Sequence, residues 1–389
     1  MEIALHSSLG SIPEDQWDRL NAGHNPFLRH AFLYALETQG CLGQEWGWYP
    51  QHLSVYEAGQ LIAAMPLYLK TNSYGEFVFD WNWAEAYERM GRPYYPKLVS
   101  AIPYTPITGQ RLMLAPGTER APLTKTVANW LQDHARRQNI STLHCLFPSQ
   151  EELEAWEGAA CYRRTDCQFH WHNDQYPDFD AFLATLTAEK RKKIKRERRR
   201  VRDAHIAIEV LAGTDVSDAQ WACFHQFYCD TFDRRGGYPT LTLSFFQEIG
   251  RLMGDQIVLV LASHNQQVVA GALSFCSDHA LYGRHWGCNA DYHSLHFELC
   301  YYQGIEYCIQ RGLSTFEPGA QGEHKISRGF VPTMTYSAHW FADPMFEKII
   351  SRYLLQERQG VQSYIHELSG HTPYKKTSPG AGPGSQRGV

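Results

Sequence analysis

The sequence predicts a mixed α/β (α+β) protein of two related domains, each a mixed sheet flanked by helices. Its 389 residues are 43% hydrophobic and 20% charged, which is enough apolar material for more than one core. The second half alternates strand-period and helix-period segments in the order β-α-α-β-β-β-α-β, followed by one more strand and helix. The first half repeats that order loosely, as two related domains would. We therefore predict domains over residues 1–176 and 205–372, joined by a basic helix over 177–204 and followed by a disordered tail over 373–389.

The first domain is predicted from short apolar runs separated by turn residues. In order, its elements are a strand (3–5), two helices (13–20 and 30–38), two hairpin strands (53–56 and 61–69), a strand (76–81), a long irregular stretch, a helix (123–138) and a strand (142–147). The hairpin turn is predicted at residues 57–60, where Gly59 accepts the backbone conformation that such turns need.

The second domain is predicted in the same way, with clearer signals at the helix ends. In order, its elements are a strand (206–210), two helices (218–234 and 242–253), two hairpin strands (257–262 and 268–276), a strand (281–287), a long helix (294–311), two strands (313–317 and 333–341) and a helix (345–368). Ser217 is placed to cap the first helix, and Gly312 to end the long one. The apolar residues of the long helix recur at steps of three and four, the period of an amphipathic helix.

The net charge of −5 is unevenly distributed. Residues 189–203 contain ten lysine or arginine residues against three acidic ones, so the rest of the chain is distinctly acidic. This pattern excludes a nucleic-acid coat protein that is basic throughout, and it indicates one focused site for an anion. Mean hydropathy is −0.43 and no apolar run has the length of a membrane span, so we expect no integral membrane insertion.

The cysteines and the N-terminal residues predict a cytoplasmic protein. No two of the ten cysteines have the C-x2-C spacing of common zinc and redox motifs, so we expect reduced thiols. Residues 1–20 contain acidic residues and a proline where a signal peptide needs a basic start and an apolar stretch.

Three stretches resemble a known family: residues 25–32 (NPFLRHAF), residues 94–99 (YYPKLV) and residues 317–330 (EPGAQGEHKISRGF). They are similar to FemAB-like bacterial proteins related to N-acetyltransferases. The predicted element order resembles the GNAT acyltransferase fold. Two copies joined by a basic helix resemble the Fem-type ligases, which add amino acids to peptidoglycan precursors from aminoacyl-tRNA. The resemblance implies two tandem GNAT-like (acyl-CoA N-acyltransferase fold) domains and acyltransferase activity.

Residues 317–330 are the main candidate for the catalytic site. Three glycines permit a tight path or a close approach to a ligand. Acids, a base and cations lie between them. The candidate catalytic residues are Glu317, His324, Lys325 and Arg328, and the candidate substrate-binding residues are Gln321 and Glu323. Acyl transfer needs a base for the attacking amine and cations or donors for the oxyanion. We assign the first role to Glu317 or His324 and the second to Lys325 and Arg328. The resemblance to Fem-type ligases implies a role for Lys325 in particular. The alternative is a structural loop.

The basic helix has three interpretations. It is a solvated helix, a phosphate-binding element, or a general RNA-binding element. The candidate anion ligands are Lys190, Arg191, Lys195 and Arg198. Lysine and arginine neutralise phosphate, and arginine adds bidentate geometry. The resemblance places this helix beside the nucleotide-linked substrate, and a tRNA-borne donor would combine the last two interpretations.

The aromatic stretch over residues 79–106 is the second candidate site, because long irregular loops are usually functional or disordered. Its candidate acceptor-binding residues are Asp80, Trp81, Trp83, Glu85, Arg89 and Lys97. The alternative is a packed lid or a domain-interface loop. We also assign His285 and Trp286 to substrate binding.

Two missing motifs limit the choice of donor and of metal. The GNAT pyrophosphate loop [R/Q]-x-x-G-x-[G/A] is absent, and residues 286–293 (WGCNADYH) stand in its place. The donor is therefore open between acyl-CoA and aminoacyl-tRNA. His285, His293, His296 and His324 suggest a metal hydrolase, but H-E-x-x-H does not occur, so we expect no metal.

The sequence thus predicts an N-acyltransferase or aminoacyltransferase. It would form an amide on an amine of a small-molecule, phosphate-bearing or peptide-like acceptor, with tRNA as a candidate partner of the basic helix. The alternative is a non-catalytic RNA-binding or regulatory protein that retains the fold.

Overall fold

The computed structural model describes residues 1–375, which form fifteen strands and twelve helices. The strands of the first half are β1 (Glu2–His6), β2 (Trp48–Pro50), β3 (His52–Glu57), β4 (Gln60–Met65), β5 (Tyr68–Lys70), β6 (Lys97–Ser100), β7 (Met113–Leu114), β8 (Thr142–Leu146) and β9 (Tyr162–His172). Those of the second half are β10 (Ala207–Ala212), β11 (Ile257–His264), β12 (Gln267–Cys276), β13 (Ala280–Cys288), β14 (Thr315–Glu317) and β15 (Val331–Phe341).

The helices cover the faces of these strands. They are α1 (Glu14–Leu20), α2 (His30–Thr38), α3 (Trp81–Arg89), α4 (Arg120–Arg137), α5 (Gln150–Glu157), α6 (Phe179–Thr185), α7 (Ala188–Asp203), α8 (Asp218–Arg234), α9 (Leu243–Met253), α10 (Leu295–Phe297), α11 (Gln303–Arg311) and α12 (Pro344–Ser369). A π turn over Glu298–Tyr302 connects α10 to α11, and a 3-10 turn spans Glu323–Arg328.

The strands form two sheets, one of which joins both halves of the chain. The order in the smaller sheet is β1-β3-β4-β7, and in the larger β10-β11-β12-β13-β14-β9-β15-β8-β6-β5-β2. The late strand β15 pairs with β9 and β8, both of which come from the first half. The predicted mixed α/β class with mixed sheets is confirmed, and the two halves share a continuous sheet.

Several predicted elements differ from the structure. The strand predicted over residues 76–81 is wrong. Residues 76–80 are irregular, and α3 begins at Trp81. The linking helix is two helices, since Leu186 has extended backbone between α6 and α7. The strand predicted over 61–69 is interrupted at Pro66, which lacks the N–H that a ladder needs. Strand β9 was not predicted, because its many charged and polar side chains hide a strand pattern.

The start of the predicted tail packs on the structure. The carbonyl of Pro373 accepts a hydrogen bond from the Thr187 amide, and the Tyr374 hydroxyl donates to the Gly329 carbonyl at 2.6 Å. Residues 376–389, the rest of that prediction, lie outside the described residues.

An aromatic core fixes the two halves against each other. The ring of Phe27 lies 4.6 Å from that of Phe275 on β12, and Phe32 on α2 contacts Phe245 on α9 at 5.6 Å between ring centroids. Burial of such rings supplies apolar area and fixed geometry. The junction is therefore a packed core.

In each half, two parallel strands separate and leave an opening in the sheet. β13 pairs with β14 only over residues 280–282, whereas its ladder with β12 continues to Cys288. β6 pairs with β8 only over residues 98–100. In the first half residues 101–112 fill the opening, where the buried Arg111 guanidinium donates to three backbone carbonyls of the same segment. At the opening between β13 and β14, the Arg284 guanidinium donates to the Tyr104 carbonyl, which also belongs to residues 101–112.

Candidate active site

Glu317 ends β14 at the point where β13 and β14 separate. Only 9% of the residue is exposed, and its Oε2 lies 3.8 Å from Nε2 of His170 on β9. Burial raises the pKa of Glu317 to about 8, against the lowering effects of the Thr108 backbone, Arg111 and Arg284. Such a carboxyl group exchanges a proton near neutral pH, as a general base must.

Three buried polar atoms at this opening have no hydrogen-bond partner in the described part of the chain. They are Oε2 of Glu317, Oγ1 of Thr108 and Nε of Arg284. Arg284 lies at a register shift between β12 and β13 and donates through its Nη2 to the Tyr104 carbonyl. Buried polar atoms without partners are rare in proteins, so a group of them indicates a place for a polar ligand or water.

Lys325 lies in the 3-10 turn that follows the opening, and only 2% of it is exposed. Its Nζ donates to the Gly319 carbonyl at 2.6 Å, which uses one of the three donors of an ammonium group. Burial lowers the pKa of Lys325 to about 8. The charge of Lys325 is also among the causes that lower the pKa of His170, after burial and His172. Glu317 and Lys325 are therefore both near His170.

The turn that presents Lys325 requires glycine at position 322. Gly322 has φ of 115°, a left-handed conformation that side chains rarely adopt, and a Cβ there would lie 2.5 Å from the His324 ring. The backbone conformation and the nearby His324 ring therefore explain why this segment needs glycine at position 322.

Aromatic side chains line the approach to Lys325. His324 Nε2 and the Tyr301 hydroxyl lie 2.8 Å apart, and His296 contacts both Trp286 and Tyr301 through ring edges. The pKa of His324 is lowered by burial and then by Arg328, Lys325 and Lys193. His324 is thus a neutral imidazole at pH 7, able to accept a proton or a hydrogen bond.

His285 does not face this approach, contrary to the prediction. Its ring packs on Tyr228 at 5.0 Å and on Phe246, and burial lowers its pKa far below the ordinary value. Neighbouring residues of a strand point to opposite faces, so Trp286 faces the approach and His285 faces α8.

Arg328 is not open to a ligand, which corrects its predicted role as a direct anion ligand. Only 2% of it is exposed, and its guanidinium pairs with Glu197 of α7 at 2.9 Å. The other two predicted residues of the segment lie at the surface, where Gln321 is exposed and Glu323 accepts a hydrogen bond from Tyr364.

The basic helix α7 buries one face and exposes a cationic one. Ile194, Glu197 and Val201 form the buried face. Three of the predicted anion ligands already have acidic partners. Lys190 pairs with Glu189, Lys195 pairs with Asp180, and Arg198 pairs with Glu298 and Glu306, whereas Arg191 forms no ion pair within residues 1–375.

The predicted set of anion ligands omitted three exposed cations on one face of this helix. Lys192, Arg196 and Arg199 are exposed, lie at steps of four and three on one face, and pair with no acid of the described chain. Helical spacing alone could have selected them. These three side chains are free to bind an anion.

The aromatic stretch forms a packed layer, so three of its predicted pocket residues are corrected. Lys97 forms a buried ion pair with Asp80 and with Glu76, the latter at 2.8 Å. Trp83 packs on His339 and Phe341 beneath α12.

The other predicted residues of this stretch, Trp81, Glu85 and Arg89, lie on the exposed side of α3, where the last two pair at 3.4 Å. The structure favours the alternative of a packed interface loop for this stretch.

Residues 1–375 contain neither a metal-binding cluster nor a membrane-spanning helix. No group of three His, Cys, Asp or Glu side chains there is arranged to hold a metal ion. None of the helices there combines the length and apolar character needed to cross a bilayer.

The comparison with known proteins agrees with these features. Residues 8–376 match the FemAB-like family model, whose description is peptidoglycan biosynthesis and recognition. This protein belongs to the FemAB-like family. The predicted family is confirmed, and with it the acyltransferase class of the enzyme. No curated protein sequence matches this chain.

Solved structures are similar to this FemAB-like protein over most of its length. FemX is 12% identical, with 90% of this chain and 100% of FemX covered and a TM-score of 0.51. L-PGS from Bacillus licheniformis is 10% identical, with 88% and 96% covered and a TM-score of 0.51. A tandem GNAT protein from the clavulanic acid biosynthesis pathway is 11% identical, with 88% and 99% covered and a TM-score of 0.46. The likeness to FemX and to L-PGS confirms the predicted fold class.

Proposed function

We propose that this FemAB-like protein transfers an acyl or aminoacyl group to an amine of a phosphate-bearing or peptide-like acceptor in the cytoplasm. The observation that supports this most directly is the pair of groups beside His170. A carboxyl group, Glu317, and a buried ammonium group, Lys325, both have pKa values near 8. Glu317 lies where β13 and β14 separate, and Lys325 lies in the turn that follows β14.

Glu317 acts as the base. The neutral amine of the acceptor attacks the carbonyl carbon of the donor, a C–N bond forms, and the carboxylate of Glu317 accepts the proton that the nitrogen loses. The C–S or C–O bond to the leaving group then breaks, and that proton passes to the departing sulfur or oxygen. His170 stays neutral because burial lowers its pKa to about 3, so it does not compete for the proton.

Lys325 stabilises the oxyanion. One of its N–H groups is fixed on the Gly319 carbonyl, which leaves two donors for the negative oxygen of the tetrahedral intermediate. An ammonium group in a water-poor site stabilises this charge more strongly than it would in bulk water.

The exposed face of α7 binds phosphate of the donor or of the acceptor. Lys192, Arg196 and Arg199 lie on the helix that packs against the turn containing Lys325. Lys193 of the same helix is near enough to lower the pKa of His324. The family description, peptidoglycan biosynthesis and recognition, supports a peptide-like acceptor.

The test is amide formation with defined donors. Acetyl-CoA and a mixture of aminoacyl-tRNAs are each offered with a nucleotide-linked peptidoglycan pentapeptide, and new amide product is followed by mass spectrometry. We expect transfer from one donor, and its loss in Lys325→Ala and Glu317→Gln. Glu323→Gln, an exposed change in the same segment, is the matched control. Full activity in both site variants contradicts the site assignment, and RNA binding without any transfer supports the non-catalytic alternative.

A further inference from the structure

The basic helix contains one acidic side chain that faces inward. Glu197 lies between Arg196 and Arg198 in sequence, yet only 5% of it is exposed. A buried carboxylate is unfavourable unless charged and hydrogen-bonded partners surround it. The partners of Glu197 come from two other segments of the second half.

The first partner is Arg328, at the end of the turn that contains Lys325. Its Nη2 donates to Oε1 of Glu197 at 2.9 Å, and its Nη1 donates to the carbonyl of His324 at 2.9 Å. The guanidinium also lies 3.4 Å from the ring centroid of Phe297. Arg328 therefore connects Glu197 directly to the backbone of the residue before Lys325.

The second partner comes from the π turn between α10 and α11. The Tyr302 hydroxyl donates to Oε2 of Glu197 and accepts from Nε of Arg328 at 3.1 Å. The preceding residue, Tyr301, bonds to the ring of His324. π turns occur often at functional sites, and this one directs two consecutive tyrosines to the same segment.

We propose that Glu197 is a positioning residue, which holds the His324–Lys325 backbone in place through Arg328 and Tyr302. The inference rests on the proposed function for its catalytic consequence. That Glu197 holds α7 and the Glu323–Arg328 turn together does not depend on the proposed function. A neutral side chain at position 197 leaves the Arg328 charge buried without a counter-charge, so the guanidinium turns to water and releases the His324 carbonyl.

The test is hydrogen exchange of residues 319–330 in the full-length protein, with Glu197→Gln as the first variant. This isosteric change keeps the size and the hydrogen-bonding shape and removes the charge. We expect amide exchange in this segment to rise about tenfold, with kcat for amide formation falling about tenfold and KM unchanged, since ground-state binding elsewhere is intact. Glu197→Asp retains the charge, so we expect an intermediate effect.

The matched control is Glu152→Gln. Glu152 is also buried, and its carboxylate accepts hydrogen bonds from the backbone amides of Arg111 and Leu112 in the first half. We expect this substitution to lower the melting temperature without faster exchange in residues 319–330. If Glu197→Gln does not fold, Tyr302→Phe tests the same network by removing one hydroxyl, with a smaller effect in the same direction.

The outcomes distinguish a failure of the positioning role of Glu197 from a failure of the proposed transfer function. Unchanged exchange in Glu197→Gln, or in Tyr302→Phe where that variant is used, overturns the positioning role even if Lys325→Ala is inactive. Faster exchange with unchanged kcat confirms that Glu197 holds the turn and overturns its catalytic consequence. A wild-type protein without transfer activity contradicts the proposed function, whereas the exchange result still decides whether Glu197 holds the turn.

Discussion

Glu317 and His170 face each other on neighbouring strands, with Oε2 of the carboxyl 3.8 Å from Nε2 of the imidazole. Glu317 belongs to β14 in the second half of the chain, and His170 belongs to β9 in the first half. Their contact places a carboxyl group that exchanges a proton near neutral pH at the junction of the two halves. The protonation of Glu317 should therefore affect both the rate of amide formation and the free energy of unfolding.

The rate of amide formation is expected to depend on the protonation of Glu317. Since burial raises its pKa to about 8, the rate should rise with pH up to about 8. Above that pH the rate should fall, because burial lowers the pKa of Lys325 to about 8 and its oxyanion role requires the charged form. Glu317→Gln is expected to lose about a hundredfold in kcat and to flatten the rising limb of a pH profile taken from pH 5 to pH 9. Glu152→Gln, which removes a buried carboxyl elsewhere, should keep the limb. An unaltered limb in Glu317→Gln would assign the base to another group.

The same carboxyl predicts how stability changes with pH. The folded state holds the Glu317 proton up to about pH 8, whereas the unfolded chain releases it near the ordinary value of 4.5. Its contribution is therefore complete below pH 4.5 and is lost as pH rises towards 8. Glu317→Gln should gain roughly 3 kcal/mol of unfolding free energy relative to wild type between pH 5 and pH 8. Urea unfolding at several pH values measures this, with the exposed Glu323→Gln as a control that shows no such trend.

The exposed face of α7 is expected to dominate binding to polyanions. Changing Lys192, Arg196 and Arg199 to glutamine should reduce the slope of log affinity against log salt by about two to three, because each of these cations neutralises about one phosphate. The measurement is fluorescence anisotropy with a labelled twelve-nucleotide RNA at several salt concentrations. A triple change of exposed cations on α4, at Lys125, Arg136 and Arg137, alters net charge equally and should leave the slope unchanged. Equal effects of the two triples contradict a focused anion site.

The buried ion pairs of Lys97 predict a structural role for the aromatic stretch. Lys97→Met leaves Asp80 and Glu76 without their shared cation, so we expect a loss of about 3–5 kcal/mol in unfolding free energy. Arg89→Met removes only an exposed pair on α3 and should change stability by less than about 0.5 kcal/mol. Denaturant unfolding measures both. A raised KM with unchanged stability in Lys97→Met would instead favour the acceptor pocket.

Local patterns in the sequence predicted most helices and hairpins, because helix period, capping residues and turn glycines act over a few neighbours. Ser217 forms a capping box with Gln220, and Gly312 adopts the left-handed conformation that ends α11. The candidate segment over residues 317–330, which contains Glu317 and Lys325, was also selected from its residue types.

The partners of these residues could not be predicted in the same way. Strand β9 is rich in charged and polar side chains, so its strand pattern was hidden and His170 went unnoticed. We expected Arg328 and Lys97 to bind ligands. In the structure, Arg328 pairs instead with Glu197, and Lys97 pairs with Asp80. Charge alone does not show whether a side chain meets solvent or a buried counter-charge.

The sequence by itself determined the family, the two related α/β halves, the basic helix and the reactive segment, since these depend on composition and short-range spacing. Only the tertiary structure decided where β13 and β14 separate, which cations of residues 1–375 have no acidic partner, and that Glu317 and Lys325 both lie near His170. Those properties arise from strand pairing and burial between residues more than a hundred positions apart, as in β15 with β9. Burial, not residue type, is what shifts the pKa values of Glu317 and Lys325 towards neutrality.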